Sequence, residues 1–285
     1  MNAAELANRL GLARSGRSWR GACPACSYPR AFTLRTGKAD AALTYCANGC
    51  DRSELRAVVE GIAGGRAAAP IADTPAPSTR RRDAALRLWA GSDPVPGTLA
   101  ETYLAARALP GLAASVALRF RADTPHPEGG TLPAMLALVS NAAGEAMGLH
   151  RTYLARDGSG KAAVEPAKAS LGPVWAGAIR LDAPDGAAAM VIGEGIESSA
   201  SAGVLIGLPA WAALSAGNLA RGLILPAVVR RIVIAVDPDP PGEDAARKAA
   251  ERWQRAGLRV QLARPTLGAD FNDTLRALHP SATDA

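Results

Sequence analysis

The sequence predicts an α+β multidomain protein: an N-terminal zinc ribbon, a mixed α/β basic subdomain, and a C-terminal α/β domain with a mainly parallel sheet. Three observations carry this. Four Cys fall as two close pairs, Cys23/Cys26 and Cys46/Cys50, around short strand-like segments. Residues 63–79, rich in Ala, Gly and Pro, offer nothing to bury and separate that region from the rest. From residue 189 onward, Val and Ile runs bounded by Gly or Pro alternate with helical segments, as parallel strands do.

The 285 residues suffice for one large core with a satellite, or for two modest domains. A net charge of +6 permits a nucleic-acid partner without establishing one. The opening MNAAELANRL reads as an amphipathic helix and not a signal peptide, and no apolar run reaches the length of a membrane span. A cytoplasmic chain is expected, in which paired thiols argue for metal before disulfide.

Residues 1–12 read as a short helix. Two strands follow, Ala31–Arg35 and Ala42–Tyr45, joined by a Gly-Lys-Ala-Asp turn and flanked by the CxxC and CxxxC pairs. That arrangement places Cys23, Cys26, Cys46 and Cys50 around one Zn²⁺. So small a module has almost no apolar core, and the metal would supply its folding energy; four reduced, buried Cys would leave the pairing unexplained. Arg17, Trp19, Arg20, Arg30 and Arg35 form a basic and aromatic rim suited to single-stranded nucleic acid, or an ordinary solvated surface. A helix over 53–62 closes this domain (1–62), and the linker (63–79) follows.

The basic subdomain spans 80–188. Helices are predicted over 81–90 and 99–108, then an antiparallel hairpin with strands at 135–139 and 146–154 around an Asn141–Gly144 turn. The hairpin carries His150 or Arg151 on one face. Lys161 and Lys168 follow in a chain whose other lysines are Lys38 and Lys248. His126, between two prolines, reads as a loop residue.

In the C-terminal domain (189–279), one strand ends at Glu194 and another, 230–236, ends at Asp237 and Asp239. Helices are expected over 197–205, 242–256 and 273–278, and strands over 210–214 and 258–263. Asn218 follows the short strand, Asp270 and Asp273 follow the last one, and 280–285 is a tail. In parallel sheets the chemistry sits at the carboxyl ends of the strands. Carboxylates gathered there repel one another unless a cation offsets them, and all-oxygen donors suit Mg²⁺ or Mn²⁺. The pattern reads as a metal-dependent phosphoryl-transfer site.

Residues 190–279 resemble the Toprim domain shared by bacterial-type primases, topoisomerases and some nucleases: Glu194, then Asp237-Pro-Asp239 with Gly242 opening a helix, then Gly268-Ala-Asp270-Phe-Asn272. Asn272 stands where that family's primase branch has a second acid, and Ser198 where housekeeping primases have an Asp. The preceding Asn141…Gly144…Gly148…Arg151 stretch, with Lys161 and Lys168 after it, is similar to the basic subdomain of primases. No helicase-binding domain or ATPase P-loop is recognised, as in compact primases of phages, plasmids or integrated elements.

The resemblance implies a DNA primase: a nucleotidyltransferase making short RNA primers on single-stranded DNA from nucleoside triphosphates, with a separately encoded replicative helicase as a partner. It implies catalysis at Glu194, Asp237, Asp239 and Asp270, with one or two Mg²⁺ or Mn²⁺ held there and by Asp273. Arg151, Lys161, Lys168 and Asn218 would contact nucleotide or template. A Toprim nuclease, or a non-catalytic single-strand-binding accessory, would use the same residues differently.

Overall fold

A computed structural model describes residues 2–25, 32–37, 41–46, 52–64, 77–181 and 186–279. Among these residues the strands form three sheets.

The first unit opens with α1, Ala3–Arg9, started by a reciprocal cap between Asn2 and Glu5. The helix stops three residues short of the expected end, where Leu10 closes it. The anticipated strand pair is the half of the sheet formed by β3 (Phe32–Thr36) and β4 (Ala42–Cys46). Two further strands, β1 (Ala13–Ser15) and β2 (Ser18–Gly21), extend it in the order β1-β2-β3-β4. They are too short to show a period in sequence. Cross-strand pairing sets Trp19 opposite Leu34, and Arg20 opposite Thr33. Residues alternate across a sheet, so Trp19, Phe32 and Leu34 share one face. That face packs against Leu6, Ala7 and Leu12, and against Leu55 and Val59 of α2 (Arg52–Ala63). The module therefore has an apolar core, contrary to the reading from its size.

The second unit begins with α3, Pro77–Ala90. The last three residues assigned to the linker are thus helical, with Pro at the first position where its missing N–H costs nothing. The short strand β5 (Asp93–Pro94) and helix α4 (Leu99–Ala106, capped by the Thr98 hydroxyl) follow. The expected hairpin is β7 (Thr131–Ser140) and β8 (Ala146–Tyr153), flanked by β6 (Leu118–Pro125) and β9 (Lys168–Leu171). Together they make an antiparallel sheet of order β5-β6-β7-β8-β9. Gly148 is required there, because a Cβ would lie 2.8 Å from the Leu171 carbonyl oxygen. Alternation splits this sheet into two faces. Ala134, Leu136, Leu149 and Tyr153 pack with Ala85 of α3. Met135, Ala137 and Val139 face the opposite way.

The third unit is built from β11 (Ala189–Gly193), α5 (Ile196–Ile206), β12 (Ala210–Ala212), β13 (Arg231–Ala235), α6 (Pro240–Arg255), β14 (Arg259–Ala263) and α7 (Phe271–Leu278). Its sheet runs β10-β12-β11-β13-β14, with β10 (Ile179–Arg180) antiparallel and the other pairs parallel. Two helices start earlier than the hydrophobic pattern suggests because their caps are acidic. Asp239 accepts from the Gly242 N–H at 2.7 Å ahead of α6, and Asp270 from the Asp273 N–H at 2.8 Å ahead of α7. One continuous apolar cluster joins the second and third units: Tyr103, Leu104, Met135 and Leu154 pack with Val191, Ile196, Val233 and Leu275. The other face of the third sheet buries Ile192, Trp211, Ile234 and Trp253.

Candidate active site

Parallel β11 and β13 are adjacent, so the residues leaving their carboxyl ends are neighbours. Glu194 follows Gly193, and Asp237 follows Val236 at the end of β13. Burial, with the charges of Asp237 and Asp239, pushes the Glu194 carboxyl up to about 7, while Lys168 and the Ala216 N–H pull the other way. Asp237 is also raised, by burial and by the charges of Asp239 and Asp270, although the Ser198 hydroxyl donates to its Oδ1 at 3.1 Å. Gly242 is fixed by this turn, since a Cβ there would collide with the Asp237 carbonyl oxygen. Four carboxylates thus lie in one field: Glu194 and Asp237 half-buried, Asp239 and Asp270 each spending Oδ1 on a helix cap.

The donor set fits a hard divalent cation by its chemistry, for these are oxygen-only groups, partly buried and mutually repelling. Among the described residues no three Asp, Glu, His or Cys are gathered closely enough to enclose an ion. Glu194 and Asp237 are the pair that would hold one.

Facing them is the inner side of the second sheet. Thr152 of β8 pairs with Lys168, and Leu154 bridges to Lys161, so both lysines lie on the face that also carries His150. Lys161 Nζ is 3.0 Å from Glu197 Oε1, and the Tyr103 hydroxyl donates to the same oxygen. Burial alone would push the Glu197 carboxyl up. The charges of Lys161 and Lys168, with the Tyr103 bond, more than offset it and hold the group well below the usual carboxylate range. His150 is pushed down to about 3, by burial first and then by Lys168, and so is neutral at physiological pH. The charge of Lys168 pulls Glu194, Asp237 and Glu197 alike downward.

In sequence, residues 79–181 match a domain of unknown function (DUF7146), and residues 189–279 match the Toprim domain. The C-terminal unit is a Toprim domain. No curated protein matches the chain in sequence. In three dimensions the chain is similar to the zinc-binding and RNA polymerase domains of Aquifex aeolicus primase, with TM-score 0.47 and 13% identity, over 97% of this chain and 80% of that one. It is similar to the RNA polymerase domain of Mycobacterium tuberculosis primase DnaG at TM-score 0.47 and 18% identity, over 72% of this chain and 81% of that one. A third likeness is to the primase fragment of the bacteriophage T7 primase-helicase protein, with TM-score 0.42 and 11% identity over 91% of this chain and 95% of that one.

The Toprim domain brings Glu194, Asp237, Asp239 and Asp270 into one field with Lys168, and Lys161 beside it. Other candidates have different work. Arg151 lies on the sheet face covered by α3, because it alternates with His150. Its guanidinium donates to the carbonyl oxygens of Pro125 (2.8 Å) and Ser170 (3.2 Å), which takes it away from nucleotide. Asn218 is buried, and its amide is consumed by the Ala176 N–H and the carbonyls of Gly177 and Ala213. It braces loops. Asp273 Oδ2 accepts from the Ala269 N–H, closing the turn before α7.

Asn272, in the place of a second acid, is buried and donates to the Arg107 carbonyl at 2.7 Å and to Ser201 Oγ at 3.0 Å. A carboxylate could not donate either bond. His126 is a loop residue, as read from the sequence, stacked edge-on against Tyr153.

In the first unit, Trp19 sits on the packed face with Arg14 over its ring at 5.6 Å, so it is not the expected stacking platform of the open face. Arg20 and Arg35 share the opposite face with Tyr45, an aromatic the sequence reading did not single out; Arg17 is exposed in the β1–β2 turn. Arg30 lies outside the described residues, as do Cys26 and Cys50. Cys23 and Cys46 are buried and close the same end of the sheet, since Gly21, Phe32 and Cys46 pair across it. Two thiols so placed, with a Cys three and four residues further on, suit Zn²⁺. Glu197, Tyr103 and His150 were not anticipated as a group. Only tertiary packing unites them, and the one sequence signal was an acid three residues after Glu194.

Proposed function

We propose that this protein is a primase: a metal-dependent nucleotidyltransferase that makes short RNA primers on single-stranded DNA from nucleoside triphosphates. The observation that carries the reading is the pairing of two walls, the acids at the strand ends of the Toprim domain and the lysines on the facing sheet. A site that only activates water needs the first wall. One that must also seat a triphosphate needs the second.

Glu194 and Asp237 would hold Mg²⁺ or Mn²⁺, with Asp239 and Asp270 adding negative charge to the same field. Such a cation supplies charge neutralisation at the phosphates and lowers the pKa of the attacking 3′-hydroxyl. Glu194 either completes that set of ligands or takes the hydroxyl proton on its carboxylate. Lys168 offsets charge developing on the transferred phosphoryl group. Arg35, exposed on the face it shares with Arg20 and Tyr45, would contact the template, whereas Arg20 pairs with Glu128 at 3.4 Å and Arg81 covers the Tyr45 ring. Zn²⁺ would be the first unit's structural ion. A separately encoded helicase would deliver the single strand.

The test is primer synthesis on single-stranded DNA with labelled nucleotides and Mg²⁺ or Mn²⁺, wild type beside Asp237→Asn. Oligonucleotides that need the metal and disappear in the variant are expected. Template cut without nucleotide addition would replace this reading with a nuclease, and binding with neither activity would leave an accessory.

A further inference from the structure

The two lysines facing the Toprim domain are not equivalent. Lys161 is in direct contact with Glu197 at 3.0 Å, and Glu197 is buried. Lys168, seven residues on, pairs across the sheet with Thr152 on the face turned to the acids. Its charge acts on Glu194, Asp237 and Glu197 with no hydrogen bond or ion pair to any of them among the described residues. The groups around Glu197 come from three separate elements. Glu197 lies in the first turn of α5, Tyr103 projects from α4, and Lys161 begins the segment that returns to the sheet as β9. Both partners converge on one carboxylate oxygen, Oε1. The Lys161 backbone is fixed as well, because Leu154 bridges to it and the neighbouring Ala162 N–H donates to the Tyr153 carbonyl at 2.8 Å.

Releasing Lys161 to a phosphate would strand a buried carboxylate, among the more destabilising single losses a protein can suffer. Its charge is therefore committed to the protein. We propose that Glu197 is a positioning residue that, with Tyr103, locks Lys161 in place and so holds Lys168 opposite Glu194 and Asp237, where Lys168 meets the nucleotide's phosphates. This rests on the nucleotidyl-transfer reading and assigns unlike roles to the two lysines within it. Lys168 touches the ligand, and Lys161 acts through Lys168. Glu194 leaves β11 three residues before Glu197, which lies in the first turn of α5, so the lock also ties the lysine wall to the acid wall.

The test is equilibrium binding of fluorescently labelled ATP to the full chain with Mn²⁺, in a set of single and double variants. Lys161→Met and Glu197→Gln are each expected to weaken binding on the order of tenfold, the scale of coupling between contacting charged groups. Their double variant should be no weaker than either alone. In a Lys168→Met background, Lys161→Met should cost nothing further, because its whole effect passes through Lys168. Tyr103→Phe, which changes no charge, should give a smaller loss with the same dependence on background and keeps the test open if a lysine variant folds poorly. Lys161→Arg should restore most of the affinity.

If Lys161→Met costs the same factor with and without Lys168, Lys161 is itself a phosphate ligand and the inference is wrong. It is equally wrong if Glu197→Gln lowers the melting temperature but leaves affinity unchanged. Should wild type not bind the labelled ATP at all, the nucleotidyl-transfer reading fails first and this inference falls with it.

Discussion

Glu194 offers the most direct physical test of the acid wall, because its burial beside Asp237 has a consequence for stability that needs no assay of activity. Its carboxyl is raised from an ordinary 4.5 to about 7. Well below 4.5 the group is protonated in both folded and unfolded chains and contributes nothing. Between 4.5 and about 7 the unfolded chain gives up this proton while the folded one keeps it, so stability falls as pH rises. Above that range the full difference is lost, about 3 kcal/mol at about 1.4 kcal/mol per pH unit. For a chain of this size that is a melting-temperature change of about 6–12 °C.

His150 runs the other way. It is kept neutral by burial, with its pKa at about 3, so stability rises with pH until its unfolded value of 6.5 is passed. A simple pH scan of wild type therefore mixes opposing slopes, to which the raised Asp237 and the lowered Glu197 add. The comparison that isolates Glu194 is wild type against Glu194→Gln by scanning calorimetry, since His150 is present in both. At about pH 5 the two should melt within about 1 kcal/mol of each other, and at about pH 8 the variant should be more stable by about 3 kcal/mol. Mn²⁺ at the higher pH should then raise wild type more than the variant, because binding to the folded state removes the repulsion. A difference between the two proteins that is the same at both pH values would refute the placement of Glu194 in a shielded field of like charge.

Other outcomes follow from single contacts. Arg151→Ala should cost about 2–4 kcal/mol in urea denaturation through the lost bonds to Pro125 and Ser170, with labelled-ATP affinity unchanged. A large loss of affinity at wild-type stability would return Arg151 to the site. Asn272→Asp should destabilise by about 3–5 kcal/mol, since a buried carboxylate would face the Arg107 carbonyl without a donor; an unchanged melt would mean that the α7 contact is dispensable. Cys46→Ser should lower zinc content from about one ion per chain, measured by mass spectrometry, and melt the first unit while the Toprim domain keeps its own transition. Full retention of zinc would show that Cys46 is a core residue and not a ligand.

Much of the Toprim domain was legible in sequence because its signals are local. Val and Ile runs mark buried strands, and a strand that ends in Glu194 or Asp237 announces a carboxylate at the sheet's carboxyl edge whatever packs around it. Helix starts were legible only in part: α6 and α7 begin at their acidic caps, and an Asp can be read as ligand or as cap until the backbone turns toward it. Asp239 and Asp270 serve as caps through Oδ1. Strands of two to four residues, such as β1, β2, β5 and β9, carry too few positions to show a period.

What the sequence alone determined is the inventory: two Cys pairs, four acids on strand ends, two lysines behind a hairpin, and the order of the units. Tertiary structure decided which of these meet. A strand alternates its side chains, so His150 faces the acids and its neighbour Arg151 cannot. Because α4, α5 and the segment before β9 converge, Lys161 is paired with Glu197, which Tyr103 also bonds, and Lys168 is left on the face turned to Glu194. Nothing in residue spacing separates those two lysines. Their difference is one of burial and partner, and both are properties of the fold.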